Sequence, residues 1–482
     1  MKERLVASPT SRLRLGIARA DITPPVGIYH RMWGAARHDQ ATGVHRPLIG
    51  DVLVFEPLQP QGTASRMIRV QIDQVGLGQE AHEQLRYSIS QAGAVALEQV
   101  IITYSHTHSG GFFTPDRVPL PGGDLIPAYL DELGATLQNA CREAIEQVQE
   151  MTISYATGWC DMAANRDCWD EELNGYVCGY NPDGSTDNTV LVGRVTDHKN
   201  ELKHVFVHYA CHPTTLAWDN TLLSPDFVGA LRQEVERYTG ASCTYLQGPC
   251  GDIGAKDGHQ GDTAVADRNG RQVALAALSA MTSMGDPSHD FQYQGPVISG
   301  ATLGTWKYTP FSEDRVKQST IYDGGMYTVD LPLIARPDPQ ELARQQEQWL
   351  VRQQEADQQG DAVAARDYGA RAERARRWIG RLDSFPEGEN YSLGFSIYRM
   401  GDALWVTCGG EPYNFLQTEL RRRFPAWPLI VSPLDTGLQV AYLLPEDRYG
   451  KGLYQEEPSP LAQGCLEGLL EAITEQIERI VK

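Results

Sequence analysis

The 482-residue chain predicts a mixed α/β (α+β) fold, with layered mixed β-sheets flanked by helices. Three observations carry this prediction. Short β-branched runs alternate with longer stretches of helical period. Apolar residues make up 41% of the chain and charged residues 22%, the balance of a globular protein with a substantial core. No run reaches the roughly 18 apolar residues of a membrane-spanning helix.

Taken in order, the β-branched runs predict strands at 52–56, 67–72, 99–104, 151–156, 190–195, 204–209 and 403–408. Helical spacing predicts helices at 79–92, 129–150, 226–238, 262–281, 412–423 and 460–481. Residues 286–309 mix Gly, Pro and alternating apolar side chains, which predicts peripheral strands. Residues 337–383 are rich in Gln, Glu, Ala and Arg, with Leu342, Trp349, Leu350, Tyr368 and Trp378 at helical positions and a break at Gln359-Gly360. That pattern predicts an inserted charged helical hairpin whose charges form a solvated face or a partner-binding surface. No internal repeat or linker stands out, so residues 1–482 are expected to form a single domain.

The net charge of −20 argues against nucleic acid and anionic membrane surfaces, both of which recruit basic patches. A small-molecule substrate is the expected partner, with self-association through the hairpin as the alternative surface contact. Nine cysteines, an odd number without a CxxC pair, read as reduced thiols. The charged N-terminus lacks the apolar core of a secretory signal, and the location expected on these grounds is cytoplasmic.

Candidate chemistry gathers at the ends of predicted strands. The run Val100-Ile101-Ile102-Thr103 leads into Tyr104-Ser105-His106-Thr107-His108-Ser109-Gly110-Gly111. In an extended chain His106 and His108 share a face, an arrangement that suits zinc, although on this motif alone a pair of surface or hydrogen-bonded imidazoles is the stronger reading. A second strand runs through His208, which reads as a core or supporting residue, to His212-Pro213-Thr214, where a ligand can be presented. A third ends in Cys408-Gly409-Gly410-Glu411-Pro412, which reads as a carboxylate opening a helix. Asn165-Arg166 offers a guanidinium able to hold a carboxylate or a developing oxyanion. Tyr442, Tyr449 and Tyr454 lie in a Gly/Pro-containing loop and read as aromatic packing, with nothing in the segment that by itself suggests zinc. The Gly-rich 248–254 run lacks the spacing of a nucleotide-binding loop.

These pieces resemble, in order, the catalytic domain of the neutral/alkaline (non-lysosomal) ceramidases. The resemblance rests on Gly16-Ile17-Ala18-Arg19-Ala20-Asp21-Ile22-Thr23-Pro24-Pro25, His106-Thr107-His108-Ser109-Gly110, Asn165-Arg166, His212-Pro213-Thr214, Gly251-Asp252, Gly410-Glu411 and the Tyr442 to Tyr454 segment. It implies a zinc site with His106, His212, Glu411 and Tyr442 as ligands, and His108, Arg166 and Tyr454 around the scissile amide. It further implies hydrolysis through a metal-activated water.

The chain departs from that family at Gly254, where a serine is expected, and at Ser109-Gly110-Gly111-Phe112-Phe113. It therefore reads as a divergent, shortened member, a zinc-dependent hydrolase of an amide or ester in a small polar substrate rather than ceramide. The alternatives are a zinc-dependent lyase or glycoside-cleaving enzyme acting on a carbohydrate derivative, and a non-catalytic binding protein on the same scaffold.

Overall fold

Two stacked β-sheets organise the chain, and helices cover both outer faces. The computed structural model describes residues 4–382 and 385–482; residue 383, the last of the expected insertion, lies outside the described residues, as do residues 1–3.

The larger sheet has eight strands: β1 (Thr10–Asp21), β2 (Ile49–Glu56), β3 (Met67–Ile72), β4 (Val100–Tyr104), β5 (Gln149–Trp159), β6 (Thr189–Thr196), β7 (Leu202–Tyr209) and β8 (Ser242–Gln247). Their spatial order is β4-β3-β2-β1-β5-β6-β7-β8. Helices α1 (Gln79–Gly93), α2 (Ile126–Glu146), α3 (Phe227–Thr239) and α4 (Thr263–Thr282) follow β3, β4, β7 and β8 respectively. The interior pairings are antiparallel, and only the outer pairs β3·β4 and β7·β8 are parallel. Each half of the sheet therefore repeats one β-β-β-α-β-α unit, and β1 pairs with β5 across the centre with Thr10 opposite Ser154. The repeat is one of topology, with no counterpart visible in the sequence.

Alternation along the strands divides the core. In β2, Val52 and Val54 face α1 and α2, whereas Leu53 and Phe55 face the second sheet. That second sheet orders β9 (Tyr322–Pro332), β10 (Asn390–Met400), β11 (Ala403–Cys408) and β12 (Leu429–Ser432). Trp405 of β11 stands between the sheets, edge-on to Phe55 and Phe206, and donates its indole N–H to the Tyr155 hydroxyl at 3.2 Å. On the far side, Phe395, Ile397 and Val406 pack against α7 (Phe415–Arg423) and α8 (Cys465–Val481). The result is a four-layer α/β/β/α sandwich, and the mixed, layered fold class expected from the sequence is what forms.

Several expected boundaries move. The helix expected over 129–150 ends at Glu146, because Gln149 onward alternates Met151, Ile153 and Tyr155 inward and pairs with β1 and β6. The helix expected from 412 begins at Phe415. Glu411 and Tyr413 instead donate backbone N–H groups to Ala441 and Leu443, making Glu411–Pro412 a short strand beside Tyr442–Leu443. Glu411 is thus not the helix-opening acid of the sequence reading. The last helix starts at Cys465 rather than 460, since Leu461 bridges Leu333 and Ala462 donates to Pro332. Peripheral strands do occur in 286–309, as the antiparallel ribbon His289–Ser299 and Ala301–Pro310.

Between β9 and β10, α5 (Pro339–Gln359) and α6 (Ala362–Leu382) form a hairpin. Asp338 caps α5 by accepting from the Gln340 N–H, and Gly360 makes the turn at φ 73°. Trp349 stacks on Tyr368 across the hairpin. The buried face of α6 carries the small residues Ala365, Gly369, Ala372 and Ala375, and Gly369 lies against Gln353 of α5. A Cβ on Gly34 would lie only 3.1 Å from the Ala370 Cα. Glu373 forms a buried ion pair with Arg117 at 2.7 Å and a second pair with Arg377 at 3.0 Å. Among the described residues no helix is long and apolar enough to cross a membrane.

Two outcomes follow from this packing. Glu373→Ala leaves the Arg117 guanidinium buried with less compensation, and urea unfolding should show a loss of about 3 kcal/mol; an unchanged midpoint would mean that the pair does not anchor the hairpin. Asp435, which accepts the Ile102 N–H at 3.0 Å, is pushed up by burial to about 7. A folded value above the ordinary carboxylate range stabilises the fold at low pH, and that contribution is lost as pH rises through about 7. Stability curves at about pH 5 and about pH 8 should therefore diverge for the native chain and converge for Asp435→Asn.

Candidate metal centre

Strands from both sheets end at one place. β4 ends at Tyr104 two residues before His106, β7 ends at Tyr209 three before His212, and β11 ends at Cys408 three before Glu411. The strand alternation invoked for His106 and His108 does not extend to them. His106 lies beyond β4 in a left-handed conformation, φ 66°, and this turn swings the two rings to a 5.1 Å edge-on contact. Such backbone in a non-glycine residue costs about 1 kcal/mol or more and persists where its surroundings enforce it. Here the His106 N–H donates to the Gln74 carbonyl at 2.8 Å.

Hydrogen bonds fix both imidazoles. His106 Nδ1 donates to the Val75 carbonyl and His212 Nδ1 to the Cys250 carbonyl, each at 2.6 Å. A carbonyl only accepts, so Nδ1 carries the hydrogen and Nε2 of the neutral ring presents a lone pair. Those two Nε2 atoms lie 3.2 Å and 3.3 Å from one carboxylate oxygen, Glu411 Oε2. Burial raises the Glu411 carboxyl, and His106 and His212 would outweigh it and hold the group well below the usual carboxylate range only with protons on their Nε2 atoms. Burial, with Arg166 adding to it, pushes His212 down to about 3. Burial, followed by the neighbouring His106 and His212, holds His108 well below its ordinary value.

Four lone-pair donors therefore crowd together. His106 Nε2, His108 Nε2, His212 Nε2 and Glu411 Oε2 are all buried and make no hydrogen bond. Buried polar atoms are ordinarily satisfied, and an anionic oxygen this close to imidazole lone pairs is repulsive unless a cation lies among them. The donor atoms of His106, His108 and His212 all lie within 4.8 Å of one another. Imidazole nitrogen with carboxylate oxygen is a donor set that zinc favours. The side chains therefore fit a metal ion.

The remaining sequence candidates surround this cluster. The Tyr442 ring lies 6.3 Å from that of His212, and Tyr442 pairs in register with Glu411 through the short parallel ladder. Arg166 is buried, donates to the Gly251 carbonyl through Nε and Nη2, and donates through Nη2 to the Tyr442 hydroxyl at 3.1 Å. The Tyr442 phenol is held well above its ordinary value by burial and by Glu411, with Arg166 pulling the other way. Tyr454 meets Tyr442 at a 5.9 Å ring separation and is 42% exposed, so its face is open. His208 lies apart from the cluster, its Nε2 bonded to the Val431 carbonyl between the sheets.

The role of one further residue was not readable from the sequence. Asp252 accepts the Asn414 N–H at 2.7 Å and the Asn165 amide at 3.1 Å, and its carbonyl accepts the Arg166 N–H. It ties the Arg166 loop to the Glu411 loop; Gly251-Asp252 was visible as a motif, but its partners are distant in sequence. The cluster opens into a cavity of about 1360 Å³ lined by His106, His108, Arg166, Glu411, Tyr442 and Tyr454. One wall is α6, through residues such as Arg374 and Arg377, and another carries Trp33, Trp218 and His259. Gly254, where the resemblance leads to the expectation of a serine, has room for a side chain: a Cβ there would make ordinary contacts, 3.7 Å to Arg166 Cδ and 3.9 Å to Thr214 Oγ1.

Known proteins share this architecture. A family model described as neutral/alkaline non-lysosomal ceramidase, N-terminal, matches residues 13–293. No curated protein matches the chain in sequence. Among solved structures, a ceramidase complexed with C2 superposes with a TM-score of 0.62, covering 98% of this chain and 76% of that one at 14% identity. The neutral ceramidase from Pseudomonas aeruginosa gives 0.60, covering 97% and 74% at 15% identity. At such identities these two structures speak for the fold, whereas the family model spans more than half of the chain and includes His106, His108, Arg166 and His212. The chain belongs to the neutral/alkaline non-lysosomal ceramidase family, a family of amide-bond hydrolases.

Proposed function

We propose that the protein is a zinc-dependent hydrolase that cleaves an amide bond in a small, polar N-acyl compound rather than in ceramide. The observation that carries this reading is the convergence of buried, unpartnered His106 Nε2, His212 Nε2 and Glu411 Oε2. These three residues would hold the ion, with Tyr442 as the fourth ligand. When bound there, zinc supplies Lewis acidity that makes water a competent nucleophile near neutral pH.

The chain's own groups do the rest. The Val75 and Cys250 carbonyls lock the imidazoles in the tautomer that leaves Nε2 free. His108, at the cluster's edge on the cavity, takes a proton from the attacking water at Nε2 and returns it to the departing nitrogen. Arg166, which keeps its charge at any working pH, and the Tyr454 hydroxyl stabilise the oxyanion that develops on the amide. Gly254 supplies no hydroxyl, so no serine nucleophile competes with water at that position.

The α6 wall of the cavity suits a polar group: Arg374, Arg377 and Glu373 line it, whereas Phe113, Val118, Ile126 and Leu130 give an acyl group an apolar wall. The net charge of −20 disfavours nucleic acid and anionic bilayers as partners. All nine cysteines are free thiols, which supports a reducing, cytoplasmic setting.

Elemental analysis of the purified protein should find about one zinc per chain. His212→Ala and Glu411→Gln should each lose that zinc together with acid release from short N-acyl compounds, followed by mass spectrometry. Full zinc occupancy with no acid released at any acyl length would refute the hydrolase reading. Gly254→Ser should fold with a stability change within about 0.5 kcal/mol, since its Cβ meets only ordinary contacts. It should retain turnover if water is the nucleophile, and a covalent acyl adduct detected by intact mass would contradict that route.

A further inference from the structure

We propose that Trp33, Trp218 and His259 form an aromatic subsite that seats a pyranose ring on the amine side of the scissile bond, making the substrate an N-acyl amino sugar. This rests on the hydrolase reading above for the position of the amide, and on a separate set of residues for the ring.

The three rings stand beside His108. The Trp33 centroid is 5.4 Å from that of His108, 6.1 Å from Trp218 and 5.6 Å from His259, the last two contacts being edge-on. Trp218 and His259 lie nearly parallel, 26° apart. All three line the cavity and are only partly buried, so ring surface remains open to it. His108 hands its proton to the departing nitrogen, and the group attached to that nitrogen therefore lies on this side.

The rings are held rigidly. The His259 N–H donates to the Thr214 carbonyl, Gln260 to Thr215, and Ala217 back to Gln260, so the Trp218 and His259 segments form one ladder. Asn269 pins that ladder from behind, reaching the Asp257 carbonyl at 3.0 Å and Thr215 Oγ1 at 3.2 Å. His259 is left-handed at φ 56°, a strained conformation that this ladder enforces at the cavity wall. Trp33 lies in a turn closed by the Ala36 N–H on its carbonyl. Arg377 of α6 donates to the adjacent Met32 carbonyl, and Gly34 abuts Ala370. The inserted hairpin is thus the buttress of this subsite.

The chemistry of the wall selects the ring. An aliphatic chain has its own apolar lining elsewhere in the cavity, at Phe113, Val118, Ile126 and Leu130. Rigid π-faces with polar groups at their edge instead suit a flat group whose C–H face lies on the rings while its rim makes hydrogen bonds. A pyranose has that character. His259 offers a polar partner for its hydroxyls.

Intrinsic tryptophan fluorescence of the metal-loaded protein, titrated with methyl N-acetyl-glucosaminide, N-acetylethanolamine and acetanilide, tests this. The sugar should quench and bind about tenfold tighter than N-acetylethanolamine, which carries the same acetamide without a ring. That preference should vanish in Trp218→Ala and in His259→Ala, the second variant guarding against misfolding of the first. Equal binding of sugar and acyclic amide, or a preference that survives both substitutions, overturns the subsite. Tighter binding of acetanilide overturns the sugar assignment in favour of an aryl group. Sugar binding with no acid released from N-acyl glucosaminides of any acyl length supports the subsite and refutes the hydrolase reading, so the two failures are separable.

Discussion

The structure turns on one repulsive arrangement: a buried carboxylate oxygen set against two imidazole nitrogens whose hydrogens are committed elsewhere. Glu411 Oε2 lies 3.2 Å and 3.3 Å from His106 and His212 Nε2, and the Val75 and Cys250 carbonyls hold the ring hydrogens on the opposite side. Protons on both Nε2 atoms would relieve the crowding only by placing two cationic rings 4.7 Å apart in a buried site. A single metal cation satisfies all three donors at once. The left-handed turn at His106, the buried Arg166 and the short ladder at Glu411 and Tyr442 each have a physical reason in this requirement.

Bringing those donors together demands that the two sheets hold a fixed relation. The donors come from loops after β4 and β7 of one sheet and β11 of the other, so a small slip between layers would separate them. Trp405 wedged among Phe55, Phe206 and Tyr155 resists such a slip through close packing. Arg69, fully buried between the sheets, adds polar pins to Thr103 of β4 and Thr407 of β11. Both threonines precede site loops by a few residues. The interlayer core and the site are therefore one mechanical unit.

Much of this was legible in the chain. β-Branched runs marked most strands of the larger sheet, and histidines and a glutamate at strand ends marked the loops that matter. The misses have physical causes. In β1, Arg12-Leu13-Arg14-Leu15 alternates as a strand should, but Gly16 and Arg19 break the pattern, and only the fold supplies Arg19 with its cross-strand partner Asp51. Glu411-Pro412 read as a helix start because its true partner, Tyr442-Leu443, is remote in sequence. The ring wall of Trp33, Trp218 and His259 was invisible for the same reason: no local pattern links residues drawn from three separate loops.

The repeated β-β-β-α-β-α unit explains why the metal cluster has the form it does. In the first half the imidazole follows the fourth strand, β4, and its carbonyl partner Val75 follows the third. In the second half the assignment is exchanged: His212 follows β7, the third strand, and Cys250 follows β8, the fourth. Equivalent loops at the two ends of the sheet thus supply the same pair of parts, a ring and a carbonyl to orient it, in opposite order. What the two halves cannot supply is the anion between the rings, and that arrives from the second sheet as Glu411. Once the larger sheet had furnished a near-symmetric pair of nitrogen donors, the asymmetric elements, Glu411, Tyr442 and the hairpin-backed ring wall, were the parts left to decide what approaches them. Differences in substrate among proteins of this fold should accordingly reside in the loops that carry Glu411, Tyr442, Trp33, Trp218 and His259 and in the hairpin behind them, and least in the strands and helices of the twin β-β-β-α-β-α frame.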